Sequence, residues 1–241
     1  NTLGGAMGLT GYPTGNVARA VFNVNGANKI FLDRGAWKQA VISEMSKPGI
    51  ADLNLQWTYD AASNKILANI TAKFDQAVSS EIRFNVYVVE DDVTGSGVGW
   101  DQHNYYSKDN PGGPAGSSSH PYYNLPPTIT GYHHMKVVRA TLGGPWGQEN
   151  SIPTPVAAGS TVKYSFEITK SANWNLDKIF LVGLVQNYNT NVAARQVINS
   201  VLGEKINSST NISTTGDKIF AQPTGSNVEL NVQIKNNGNS P

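Results

Sequence analysis

Four acidic side chains lie close together along the chain: Glu90, Asp91, Asp92 and Asp101. Carboxylates at this density, joined by loop carbonyls, are the donor set of a calcium site. The sequence has none of the regular spacing of a calcium loop, so the competing reading is a solvated strand end. The same carboxylates could supply the acid and base of a glycoside hydrolase. That chemistry needs two carboxyl groups facing each other across a cleft at about 5–10 Å, which neighbouring residues cannot provide by themselves. The four histidines are His103, His120, His133 and His134. His103 and His120 could meet Asp101 at a metal. His133 and His134 are adjacent in extended chain, so their side chains point to opposite faces and are poorly placed to share an ion. The chain has no His-Glu-x-x-His run, no Gly-x-Ser-x-Gly elbow and no phosphate loop. It has no cysteine, which excludes disulfides, thiolate metal sites and thiol nucleophiles within it. The expectation is a non-enzyme without a cofactor, calcium being the one ion left open.

The other residues with chemical potential are aromatic. Between residues 91 and 132 lies a stretch with seven glycines and five prolines, too many for regular structure. It carries Trp100, Tyr105, Tyr106, Tyr122, Tyr123 and Tyr132. Disordered linkers are poor in aromatic residues, so this insertion is expected to fold onto the body of the protein. Its rings either pack inward or form a ligand surface, with Trp100, Tyr105, Tyr106, Tyr122 and Tyr123 as the binding candidates.

The elements that hold this insertion read as β-structure. From residue 51 apolar residues alternate with polar ones: Leu53, Leu55, Trp57 and Tyr59, then Ile66 to Phe74, then Ile82 to Val88. Short polar turns join them into a meander with one wet face. Further strands are expected at Met135–Leu142, Val162–Ile168, Ile179–Val185 and Val192–Val201, the last with a helical alternative. Seven or so such strands argue for an antiparallel two-sheet sandwich, immunoglobulin-like or jelly-roll-like. Ahead of it, Val17–Val24 reads as a strand. Ala36–Met45 reads as a helix with Trp37, Ala40, Val41 and Met45 on one face and Asp33 as N-cap. The run GGPWG from Gly143 to Gly147 reads as a tight turn with Trp146 over the core edge. Residues 207–216 read as a linker, and Lys218–Ala221 and Val228–Ile234 as short strands.

Of 241 residues, 18 are basic and 17 acidic, and they are spread evenly. Nucleic acid requires a concentrated positive patch, so no nucleic-acid partner is expected. The longest apolar run, Ile179–Val185, is about a third of the ~20 residues that span a bilayer as a helix, so no transmembrane segment is expected. The charged fraction is 15%, below the ~25% usual for soluble domains, and uncharged polar residues take its place. Such a surface suits an extracellular setting. Asn69, Asn207 and Asn211 match the glycosylation pattern, as an Asn-rich chain does by chance.

Several segments together resemble the twenty-eight-kilodalton outer membrane protein family of Bacteroidota. They are GYHHMKVVR from Gly131 to Arg139, GGPWG from Gly143, NWNLDKIFLVGLV from Asn173 to Val185 with Asn187 after it, VYVVEDD from Val86 to Asp92, and Gln102. On this resemblance Pro13, His134, Arg139, Trp146 and Trp174 are structural positions. The run GYPTG from Gly11 resembles the cis-proline turn of a thioredoxin fold, which implies a cis Tyr12–Pro13 bond and makes residues 1–48 the C-terminal part of a thioredoxin-like region. Residues 49–206 are then the sandwich with its insertion at 91–132. Residues 207–241 are a linker and the first strand of an immunoglobulin-like domain. Both ends read as interrupted.

The resemblance implies a cell-surface or secreted module that binds or scaffolds. Its partners are other proteins of an outer-membrane assembly, or glycans, and its location is extracellular or outer-membrane-associated. Type IX secretion is the implied route. The alternatives are a carbohydrate-binding module using the loop aromatics, and a thiol-redox protein whose cysteine-bearing half lies elsewhere.

Overall fold

Alternation of apolar and polar residues is carried into three long strands that set the architecture. In the computed structural model, which describes residues 2–11, 13–206, 212–215 and 233–236, the chain forms two compact units, residues 1–204 and 205–241. The first unit begins with the short helix α1 (Thr2–Ala6), the hairpin β1 (Phe22–Val24) and β2 (Ala27–Lys29), and helix α2 (Arg34–Met45). The sandwich strands follow: β3 (Ala51–Asp60), β4 (Lys65–Phe74), β5 (Ile82–Glu90), and, in the insertion, β6 (Gln102–His103) and β7 (Thr128–Ile129). After them come β8 (Val137–Thr141), β9 (Thr161–Thr169), β10 (Ile179–Asn187), β11 (Val197–Leu202) and β12 (Glu204–Lys205). In the second unit β13 (Ile212–Thr215) pairs antiparallel with β14 (Gln233–Asn236).

Two four-stranded antiparallel sheets carry the first unit, in the orders β11-β10-β5-β8 and β12-β3-β4-β9. The β3–β4 hairpin runs in register from Ala51 opposite Phe74 to Asp60 opposite Lys65. Its turn is held by Asp60, whose carboxylate accepts from Ala62 N at 3.0 Å and Ser63 Oγ at 2.6 Å, and by Asn64 at φ +53°. The alternate residues Ile66, Ala68, Ile70, Ala72 and Phe74 face inward. They meet Ile82, Phe84, Val86 and Val88 of β5 and Ile179, Leu181 and Val185 of β10 in one continuous core, with Trp57 and Leu55 fully buried. Trp174 packs against its margin.

At Gly183 the two sheets approach closely. A Cβ there would lie 2.9 Å from Ile70 Cδ1, 3.2 Å from Val201 Cγ1 and 3.3 Å from Leu55 Cδ2, so the position has no room for a side chain.

Several expectations change. The three runs from residue 51 to Val88 do not form one meander: β4 pairs with β3 and β9, whereas β5 lies in the other sheet between β10 and β8 and is buried on both faces. Val17–Val24 is extended only at its end, because Ala18 and Arg19 both take φ +51° and turn the chain. The strand expected from Met135 starts at Val137, since Lys136 sits at φ +58°. Val192–Val201 is a strand only from Val197: Val192–Ala194 is a 3-10 turn, and Val197 and Val201, whose spacing offered the helical alternative, both lie in β11. Helix α2 begins at Arg34, and Asp33 before it is extended as an N-cap but makes no side-chain capping bond. Its expected packing face is largely open: Ala40 is buried, while Trp37, Val41 and Met45 are exposed. What anchors the helix is the Trp37 indole, which donates to Leu32 O at 2.8 Å and lies over Gly15.

The Tyr12–Pro13 bond lies outside the described residues, and so do Lys218–Ala221 and most of Val228–Ile234. The cis bond among the described residues is Thr154–Pro155.

Filling the close approach of the sheets should overpack the core. Gly183→Val is expected to lower unfolding stability by about 1–3 kcal/mol, read from the midpoint of a urea transition.

Candidate functional site

The acidic run at the end of β5 fastens the insertion to the sandwich. Glu90 is buried and accepts from Asn175 N at 2.6 Å, with Arg139 Nε 3.2 Å from its other oxygen. Asp91 accepts from Lys136 N at 2.8 Å and Lys136 Nζ at 2.7 Å. Asp92, at φ +63°, contacts His133 Nδ1 and stands 3.3 Å from Lys178 Nζ. The Lys136 ammonium and amide hold the Asp91 carboxyl below its ordinary value, and His133 and Lys178 do the same for Asp92. Three of the four carboxylates of the calcium candidate, Glu90, Asp91 and Asp92, thus face their own cationic or amide partners. Asp101 lies farther along, its amide bonded to Gly97 O. Among the described residues no three His, Cys, Asp or Glu side chains gather closely enough to hold a metal.

Beyond these ties the two ends of the insertion run side by side. Val93 and His134 exchange both backbone hydrogen bonds at 2.9 Å. His134 Nε2 donates to Trp100 O at 2.9 Å and its ring meets those of Trp100 and Tyr132 edge-on, while His133 points the other way to Asp92. β6 and β7 then pair, Gln102 opposite Ile129 and His103 opposite Thr128.

Past this stem the chain is organised by Asn104, a residue that sequence reasoning did not single out. Its side chain is buried. The amide nitrogen donates to the carbonyls of Tyr122, Leu125 and Pro126, and the oxygen accepts from Tyr106 N. Proline-rich backbone has few N–H groups but all its carbonyls, so one amide donor aimed at three of them supplies what a ladder cannot.

The rings so placed line a cleft of about 790 Å³. One wall is Tyr105, Tyr106, Tyr122, Tyr132, Gln102 and His103. The other is Pro13, Asp33 and Arg34 of the N-terminal segment. Arg34 Nη1 crosses to donate to Tyr106 Oη at 3.2 Å. Tyr106 stacks on His120 at 3.7 Å and 6°, and Tyr122 stands at 75° to His120. His103 meets Tyr105 edge-on at 4.2 Å, and His120 Nδ1 accepts from Tyr122 N at 3.1 Å. The Tyr132 hydroxyl is held above its ordinary value by the neighbouring Tyr122 phenol, first through charge and then through a hydrogen bond. Tyr105 is 62% exposed, Tyr122 39% and Trp100 37%. Tyr106, Tyr123 and Tyr132 are half-buried. Trp100 lies outside the cleft wall, with its ring over Gly95.

A sequence model of the family described as outer membrane protein Omp28 matches residues 1–206. The chain belongs to the Omp28 family. Membership makes this an outer-membrane-associated surface protein, as the resemblance implied. Among solved structures the chain is similar to HBP35 of Porphyromonas gingivalis, at 17% identity and a TM-score of 0.52. The match covers 97% of this chain and 65% of that one, so the Omp28-family chain spans under two thirds of that relative's length. At this identity the likeness shows the fold. A domain of the outer membrane lipoprotein Omp28 from the same organism matches at 12% identity and a TM-score of 0.32, over 65% of this chain and 88% of that one. No curated protein matches the sequence. No described helix is long and apolar enough to cross a membrane.

Two outcomes follow. Asn104→Ala should leave the Leu125 and Pro126 carbonyls and the Tyr106 amide without their partner, and the Tyr122 carbonyl with Leu125 N alone, so limited proteolysis is expected to cut within 105–126 in the variant at protease levels that spare the parent. The lowered carboxyls of Asp91 and Asp92 act only while ionised. Their contribution is present above the ordinary value of 3.8 and fades as pH falls through the lower folded values. In Lys136→Met the midpoint of Asp91, followed by carboxyl carbon NMR, should rise back towards 3.8 while Asp92 stays low.

Proposed function

We propose that the protein is a non-enzymatic binding module of an outer-membrane-associated surface assembly, and that the cleft between the insertion and the N-terminal segment is its recognition site. The observation that carries this reading is the cleft itself. It is of the size that takes a small ligand or a few residues of a larger one, and it is walled by tyrosines with a few polar groups among them. Tyrosine offers broad contact area with a hydroxyl at its tip and little side-chain entropy to lose. Asp33 is the one carboxylate among the residues that line it, and an acid–base pair needs two, which supports binding rather than acid–base chemistry. Type IX secretion, implied by the family resemblance, belongs to the same reading; a surface location is what supports it.

A glycan ligand is the second reading, favoured by the exposure of Tyr105, Tyr122 and Trp100. The rings are not coplanar, since Tyr122 stands across the Tyr106–His120 stack. A sugar would therefore be gripped between rings rather than laid along a flat strip.

A photo-crosslinking residue at position 105, introduced into the protein on intact cells, should capture one surface partner, and capture should fall when Tyr122→Ala is added. The proposal fails if no adduct forms, or if the same adducts form from a control position at Lys163 on the solvent face of β9. For glycans, titration with neutral and N-acetylated oligosaccharides distinguishes the second reading. Saturable binding weakened about tenfold by Tyr122→Ala, or roughly 1.4 kcal/mol, supports it, and no saturable binding removes it.

A further inference from the structure

β5 is buried on both faces. Its outward-facing side chains are Arg83, Asn85, Tyr87 and Val89, opposite Gln186, Leu184 and Val182 of β10. Asn85 holds the GGPWG turn against this face, accepting from Gly143 N at 3.0 Å and donating to Gly144 O at 2.8 Å. Gly147, at φ +80°, lies so close that a Cβ would stand 2.7 Å from Arg83 Cβ. The turn therefore fixes Trp146 above the outer face of the sheet.

Two arginines face that indole, and a third lies over the neighbouring Tyr188 ring. Arg195 Cζ is 4.4 Å from the Trp146 ring and 4.7 Å from the Tyr188 ring. Arg19 Cζ is 5.8 Å from Trp146, and Arg83 Cζ is 3.4 Å from Tyr188. Arg83 has a carboxylate, Glu81, at 2.6 Å. Arg19 and Arg195 have none among the described residues. Arg19 donates to the Tyr87 hydroxyl and Arg195 Nε to Asn189 O at 2.5 Å.

A guanidinium stays charged at every working pH, and burying it without an anion is costly. Arg19 is 5% exposed and Arg195 9%. Contact with an aromatic face offsets only part of that cost. Among the described residues Arg19 Nη1 has no acceptor, and the fully buried Gln186 amide has a partner for neither of its polar atoms. Arg19 is also delivered by a strained turn, two successive non-glycine residues at φ +51°, which Ala18 O ties to the start of β11 through Val197 N at 2.8 Å.

The geometry points to an oxyanion-binding site at Trp146, in which Arg19 and Arg195 together receive a carboxylate or phosphate group of a ligand. The fork of donors on each guanidinium matches either group, and the anion supplies the charge that the protein leaves out. The site is separate from the aromatic cleft, shares no residue with it, and does not depend on what the cleft binds.

The test titrates the full chain at low ionic strength with D-glucuronate, D-glucose 6-phosphate, inorganic phosphate and neutral D-glucose, following tryptophan fluorescence and calorimetry. A saturable response to at least one anion and none to glucose is expected, and the anion arms tell carboxylate from phosphate. Arg195→Gln should weaken that binding about tenfold or more. Arg195→Lys keeps the charge but loses the fork, and should weaken it by less. Trp146→Phe, a mild change, should abolish the fluorescence response while calorimetry still registers binding. The proposal is overturned if no anion binds saturably, which would leave water as the occupant. It is equally overturned if glucose binds as well as the anions, if Arg195→Gln and Arg195→Lys both bind as the parent does, or if the fluorescence response survives Trp146→Phe.

Discussion

β5 carries the structure because both of its faces must be satisfied at once. Its inward residues Ile82, Phe84, Val86 and Val88 close the sandwich core. Its outward residues Arg83 and Asn85 are polar and buried, so they need partners on a face that a simple sandwich leaves to water. Those partners come from distant parts of the chain: the GGPWG turn, the residues around Tyr188, and Arg19 through Tyr87. The N-terminal segment is thereby held against the sheet. The strand then ends in three carboxylates that fasten the insertion through Asn175, Arg139, Lys136, His133 and Lys178. One strand thus positions both walls of the aromatic cleft.

What the sequence made legible was whatever depends on near neighbours. Period-two alternation located β3, β4 and β5 closely, because the pattern is written into every second residue, but it did not show that the second face of β5 is covered or that β5 leaves the β3–β4 sheet. The composition of the insertion, aromatic yet rich in glycine and proline, signalled a folded loop rather than a linker. Backbone reversals at Ala18, Arg19 and Lys136 were not legible, since a non-glycine residue gives no local sign that tertiary contacts will hold it at positive φ. Asn104 was hidden for a related reason. One Asn in an Asn-rich chain looks like any other until three carbonyls from twenty residues away surround it. The same holds for Arg19, Arg83 and Arg195, which are scattered in sequence and meet only on the folded sheet. A signal existed for Trp146, a lone aromatic inside a glycine-rich turn, but it suggested the core edge rather than the outer face.

Membership of the Omp28 family gives the chain its place at the outer membrane. On the proposed reading the sandwich is a scaffold and the insertion carries the recognition site. In that setting a long insertion is useful only if it is ordered before a ligand arrives. A loop that must fold on binding spends affinity on its own ordering. The stem of β6 and β7, the Asn104 hub and the carboxylate ties describe a preformed site.

The direct test is hydrogen exchange resolved to single amides across residues 102–129. A preformed cleft predicts slow exchange at Asn104, Lys108, Ala115 and Tyr123, whose N–H groups donate to Pro127, Tyr123, Tyr105 and His120 at 2.7–2.9 Å. Exchange at those four amides as fast as in an unstructured peptide would contradict it, because the cleft would then exist only when something already filled it.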